Sequence, residues 1–202
     1  MSRVLPILFN MKMVRAILDG RKSCTRRIIK PQPQGYFEVS EEPLYIYDTD
    51  GKQGKITPPY QPGDILYVRE TWKQAPNGYY YYEDWQKDDI ADVTKWKPSI
   101  HMPKEAARIW LKVTDVREER LQEITRLSVQ KEGIEVDPKE CAGKFDFITE
   151  LFLLFQKLWD STIKKSDLDS YGWDANPYVW VIEFERCEKP KEEKGNDSGD
   201  SK

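Results

Sequence analysis

The segment Asn10-Met11-Lys12-Met13-Val14-Arg15-Ala16-Ile17-Leu18-Asp19-Gly20-Arg21-Lys22-Ser23-Cys24-Thr25-Arg26-Arg27 decides how the chain is read. Met11, Val14, Ile17 and Leu18 recur at helical spacing, which puts one apolar stripe on one side of a helix. Asn10 stands where an N-cap belongs, and Gly20 where a helix ends in a left-handed residue. The basic cluster Arg21 to Arg27 therefore leaves the helix end as a loop or short strand. Before the helix, Leu5, Ile7, Leu8 and Phe9 read as a first strand, and Pro6 marks that strand as a sheet edge.

Working outward, Tyr45-Ile46-Tyr47 and Lys55-Ile56 flank Asp50-Gly51 and read as a hairpin. Pro62-Gly63-Asp64 is a turn feeding the buried strand Ile65 to Arg69, and Ile109 to Val116 is a further strand. Asn77-Gly78 lies in an excursion from Ala75 to Trp96. Thr125 to Glu132 reads as a short helix closed by Gly133, and Phe147, Leu151, Leu154, Phe155 and Leu158 as an amphipathic one. Asn176-Pro177 turns the chain into the clearest strand, where Tyr178, Trp180, Ile182 and Phe184 alternate with residues of the other face. Strands and helices mix without regular alternation, so the fold class is α+β, a small curved sheet or barrel with flanking helices. Residues 188–202 carry no apolar anchor and read as a disordered charged tail.

The composition excludes several classes. With 202 residues, 39% of them apolar and seven Trp, eleven Tyr and seven Phe, the chain can build one core, so wholesale disorder is excluded. The densest apolar stretch, Ile148 to Leu158, is broken by Thr149, Glu150, Gln156 and Lys157 and does not read as a membrane span. Val4 to Phe9 is too short for a signal peptide. Three separated cysteines (Cys24, Cys141, Cys187) without a CxxC pair argue against a disulfide framework or a zinc site, and no metal or cofactor is expected. A reducing cytoplasm is the expected compartment.

The net charge of −3 hides an asymmetry: residues 1–30 carry +7 against an acidic remainder. That pattern fits a local anion site better than a coat for duplex nucleic acid, unless these cations pair with acidic neighbours in the fold. Within the segment, a hydroxyl beside a lysine amine could serve as nucleophile and base, provided the amine loses its proton. The arginines Arg21, Arg26 and Arg27 could equally bind a phosphate or carboxylate without chemistry. Arg69-Glu70-Thr71-Trp72 follows a strand, so Trp72 could stack a flat base beside Glu70, or simply belong to the core. His101, the single histidine, lies between Pro98 and Pro103 and could exchange protons near neutral pH or be structural.

Taken together, the helix running into Gly20-Arg21-Lys22 and Thr25-Arg26-Arg27 resembles the signature of ASCH domains, relatives of the PUA fold. So does Pro62-Gly63-Asp64 followed by Tyr67-Val68-Arg69-Glu70-Thr71-Trp72. Trp96 to Pro103, Ile109 to Val116 and Trp180 to Phe184 are similar to the larger bacterial and phage members. The resemblance implies a PUA-like β-barrel with flanking helices over residues 1–187, enlarged by insertions near 31–60, 75–95 and 134–172. It implies a central basic cleft binding RNA, a nucleobase or a nucleoside, with Arg21, Arg26, Arg27, Arg69, Trp72 and His101 as ligand-binding candidates. Compact members deacetylate N4-acetylcytidine. On that alternative Thr25 attacks the acetyl carbonyl, Lys22 takes its proton and Glu70 orients Lys22 or serves the leaving amine. Ser23-Cys24 departs from the motif, whose middle more often carries threonine. A non-catalytic protein-interaction module is the third reading.

Overall fold

The computed structural model describes residues 2–33, 37–41, 44–48, 54–84, 95–136 and 146–191. The framework is a five-stranded sheet built from β1 (Val4–Leu8), β2 (Cys24–Ile28), β6 (Ile65–Arg69), β9 (Trp110–Arg120) and β10 (Tyr178–Cys187). Its strand order is β1-β6-β9-β10-β2. β1 runs parallel to β6, and the other pairings are antiparallel. The long β9–β10 ladder runs from Tyr178 opposite Arg120 to Cys187 opposite Trp110, with a register shift between Glu183 and Phe184. Two smaller sheets join β3 (Phe37–Glu41), β4 (Leu44–Asp48) and β5 (Gly54–Ile56), and β7 (Trp72–Ala75) with β8 (Gly78–Tyr81).

Alternation along β10 assigns the two faces of the main sheet. Trp180, Ile182 and Phe184 pack with Val14 and Ile17 of α1 (Met11–Leu18) and with Leu44, Ile46 and Ile56 of the three-stranded sheet. Val179 and Val181 point the other way, into a cluster with Cys24, Leu121, Val129, Leu151, Phe155 and Trp159. That second cluster is roofed by α2 (Arg126–Lys131) and α3 (Phe147–Ser161). A third cluster, around Tyr67, Trp72, Met102 and Trp110, lies under the loop of residues 96–107. A period-two strand between two helical layers thus needs apolar residues at both phases. The run Val179 to Ile182 supplies them, all nearly or fully buried.

The helix boundaries follow local chemistry. Asn10 Oδ1 accepts from Met13 N at 3.0 Å, and Gly20 closes α1 with φ of 74°. Thr125 caps α2 by accepting from Ser128 N at 3.2 Å. β1, β4, β5, β6, β9 and β10, with α1, α2 and α3, fall where the sequence placed them; β2 is the strand of the two alternatives left for the basic cluster, and β3, β7 and β8 are strands that the sequence reading did not place. The ends differ: β9 reaches Arg120, because pairing with β10 carries its polar second half. The barrel expectation resolves into an open sheet, with β1 and β2 as its two edges and no pairing between them among the described residues. The Asp50-Gly51 turn, Cys141 and the tail from residue 192 lie outside the described residues.

Gly133 lies in a close contact with α1 and the connector to β2. Its φ is 85°, and a Cβ there would lie 2.7 Å from Ala16 Cβ and 3.0 Å from Lys22 Cβ. Gly20→Ala, which meets open space, is expected to cost about 1 kcal/mol for the left-handed conformation alone. Gly133→Ala adds overpacking and is expected to cost about 2–4 kcal/mol. Urea unfolding checks this: the midpoint should fall for both variants and fall further for Gly133→Ala, with the slope unchanged.

Candidate functional site

Because β1 and β2 do not pair, a seam runs between the two sheet edges, and a cavity of about 710 Å³ opens there. Its walls are Ile7, Leu8 and Phe9 at the end of β1, Met13 of α1, and Leu158 and Trp159 of α3. Polar groups reach it from Asn10, Thr25, Arg27, Tyr60, Arg69 and Ser99. The Phe9 ring is part of this wall, with Lys22 Nζ and Arg27 Cζ each 5.4 Å from its centroid. The seam is held by side chains rather than by a ladder. Tyr60 Oη donates to Pro6 O at 2.8 Å, and Arg27 Nη2 to Leu8 O at 3.2 Å.

β2 presents different chemistry on its two faces, as strand alternation requires. Thr25 and Arg27 face the first cluster, and Thr25 Oγ1 accepts from Arg27 Nη1 at 2.9 Å; the cavity reaches round the edge of β2 and touches residues of both faces. Arg26 is directed to the other face, where its guanidinium meets Glu132 at 3.2 Å and Glu119 at 3.0 Å. Lys22 and Arg26 side chains are each only 1% exposed, so the Glu132 carboxylate between them is decisive. Lys22 Nζ donates to Glu132 Oε2 at 2.7 Å, to Glu132 O at 3.0 Å and to Cys24 O at 2.6 Å. Three acceptors meet three ammonium donors. Burial pulls the Lys22 amine below the usual lysine range, while Glu132 opposes that pull. Burial also pushes the neighbouring Cys24 thiol up to about 12, aided by Glu132. The ion pairs continue outward from Arg26 through Glu119 and Arg117 to Glu183 and Lys131.

The other sequence candidates are distributed differently. Lys22, Thr25, Arg26, Arg27 and Arg69 line the cavity; Arg21, Glu70, Trp72 and His101 are not among its lining residues. Arg21 lies across α1 in a separate surface groove, held by Asp19 at 3.0 Å and Gly133 O at 3.1 Å. Glu70 is buried and takes a two-pronged bond from Arg108, at 2.9 and 2.8 Å. Burial raises its carboxyl above the usual range, and Arg108 works against that rise. Trp72 is 3% exposed in the third cluster, with Lys97 Nζ 4.8 Å from its ring centroid. His101 is exposed in the short turn Ser99–His101, of which Ser99 lines the cavity. The structure thus brings Lys22 and Thr25 to one wall and holds Glu70 in a separate Arg108 clamp. Among the described residues, no group of three His, Cys, Asp or Glu is gathered as a metal site.

Glu132, Phe9, Tyr60 and Arg108 are absent from the sequence-derived set. Glu132 meets Lys22 across 110 positions, and a single acid at a helix end carries no local mark of such a partner. Phe9 had one available signal, its place between the first strand and the N-cap.

No protein-family model matches the sequence, and no curated protein matches it. Among solved structures the chain is similar to the ASCH domain from Lactobacillus crispatus JV V101, determined as a high-resolution crystal structure. The identity is 12%, the match covers 91% of this chain and 79% of that one, and the TM-score is 0.37.

The Glu132 bridge makes a measurable prediction. Glu132→Ala strands the buried Lys22 ammonium, leaves Arg26 with Glu119 alone, and is expected to cost about 3–5 kcal/mol. Lys22→Met in the Glu132→Ala background should recover part of that loss, because the stranded charge is gone. A double-mutant cycle in urea reads the coupling, and additive effects of the two substitutions would contradict the bridge.

Proposed function

We propose that the chain binds a nucleobase or nucleoside, free or within RNA, in the seam cavity. The observation that carries this reading is an aromatic and aliphatic wall around Phe9 facing two arginines, Arg27 and Arg69, that have no carboxylate partner among the described residues. The cavity volume is of the size that holds a small organic ligand. A flat base suits the Phe9 wall, and Asn10, Tyr60 and Ser99 supply polar edges to orient it. The motif resemblance to ASCH domains points the same way. On this reading the curved sheet is a PUA-like barrel left open at the β1–β2 seam, and the seam is the cleft.

Hydrolysis of an acylated nucleoside by Thr25, Lys22 and Glu70 uses the same cavity, but three features favour binding. Lys22 Nζ has its three donors engaged, Thr25 Oγ1 accepts from an arginine, and Glu70 is committed to Arg108. A base needs a free lone pair directed at the hydroxyl it activates.

Titration calorimetry with the four ribonucleosides and with short single-stranded RNAs tests the proposal. The wild type should bind at least one of them. Phe9→Leu should weaken that binding about tenfold, in line with roughly 1–3 kcal/mol for one stacked base. Absence of binding to every nucleoside and RNA would sink the reading. Acetate release from N4-acetylcytidine that disappears in Thr25→Ala would replace it with the amidohydrolase.

A further inference from the structure

Most arginines of the basic N-terminal segment are neutralised within the fold. Arg3 meets Asp64, Arg15 meets Glu83 at 3.0 Å, Arg21 meets Asp19 at 3.0 Å, and Arg26 meets Glu119 and Glu132. Arg27 differs. Its bonds go to Thr25 Oγ1, Arg26 O and Leu8 O, all uncharged acceptors. Five guanidinium N–H groups against these three bonds leave donors to spare. Burial draws the Arg27 guanidinium below its usual range, and the charge of Glu132, which makes no ion pair with it, offsets that only in part.

Arg69 repeats the pattern. Its Nη atoms make two long bonds of 3.3 Å, to Ile100 O and Tyr67 Oη, and its Nε is buried with no partner. The two arginines are brought to one end of the seam by the backbone. Arg69 is the register partner of Leu8 across the β1–β6 pair, and Leu8 O is the acceptor for Arg27. Two under-satisfied guanidinium groups thus flank the same residue and line the same cavity.

We propose that Arg27 and Arg69 form a seat for a phosphate group, so that the ligand of the cavity is a phosphorylated nucleoside rather than a neutral one. The proposal rests on the binding reading above and refines its substrate class. A phosphate oxygen can accept from the free guanidinium donors of both arginines, supplying the counter-charge that the chain omits. The base then extends along the Phe9 wall. The phosphate could belong to a mononucleotide or to an RNA strand; the chemistry is shared.

The experiment uses the full chain and compares each ribonucleoside with its 5′- and 3′-monophosphates. It also includes inorganic phosphate and hexanucleotide RNAs lacking terminal phosphates, with affinities from calorimetry. A monophosphate is expected to bind at least about tenfold more tightly than its nucleoside, the scale of a charge-assisted hydrogen-bond pair. Arg27→Gln and Arg69→Gln should each erase that advantage. Arg120→Gln, outside the cavity lining, should leave the advantage intact, and thermal melts without ligand confirm that each variant is folded. A monophosphate advantage places the phosphate on a mononucleotide. Hexanucleotide binding that weakens tenfold in both Gln variants places it within a strand. Equal affinity for nucleosides and monophosphates, with RNA binding indifferent to both variants, overturns the seat and leaves the cavity reading standing. Absence of binding to every probe overturns both. A monophosphate advantage that survives in Arg27→Gln and Arg69→Gln also overturns the seat, because the phosphate then lies elsewhere.

Discussion

The carboxylate of Glu132 lies between the Lys22 ammonium and the Arg26 guanidinium, and the geometry of the seam follows from that one placement. Two cations with side chains 1% exposed and four residues apart need carboxylates close by; Glu132 serves both, and Glu119 adds a second partner for Arg26. Lys22 pairs with Glu132 through a backbone bridge as well, so the end of α2 is tied to the connector between α1 and β2. Gly133 follows immediately and lets that connector approach α1 without a side chain between them. Helix, connector and edge strand are thereby fixed relative to one another, and Thr25 and Arg27 are presented to the cavity as a consequence.

The basic segment shows how charge in a sequence divides between structure and function. Its excess over acids within residues 1–30 suggested a local anion site. The fold spends most of that excess internally, on Asp64, Glu83, Glu119, Glu132 and Glu135. What remains for a ligand is Arg27, joined by Arg69 from a distant strand. Net charge alone could not separate the paired arginines from the unpaired ones, because the deciding acids are contributed from far along the chain.

Elements whose signal is local were legible. Asn10 and Gly20 bracket α1, Gly133 closes α2, and the alternation of Tyr178 to Phe184 marks β10, since capping and periodicity depend on neighbours in sequence. Lys22, Thr25, Arg26, Arg27 and Arg69 were legible as cavity residues because they cluster in two short motifs. Glu70 and Trp72 share a motif with Arg69 yet lie elsewhere. The chain turns after β6, burying Trp72 under the 96–107 loop and handing Glu70 to Arg108. Arg108 and Glu132 were illegible for the same reason: each acts on a partner tens of residues away, and no periodicity or cap records that meeting.

An open sheet edge ordinarily invites a strand from another chain, since its carbonyls and amides lie unpaired. Here the Pro6 carbonyl is taken by the Tyr60 hydroxyl and the Leu8 carbonyl by Arg27, while Pro6 has no amide hydrogen to offer. These acceptors alternate along one side of β1, the side that a foreign strand would need. Capping by side chains leaves width between the edges, whereas pairing by backbone would have closed it. The seam can therefore stay wide enough for a small molecule and still refuse the intermolecular zippering that starts aggregation.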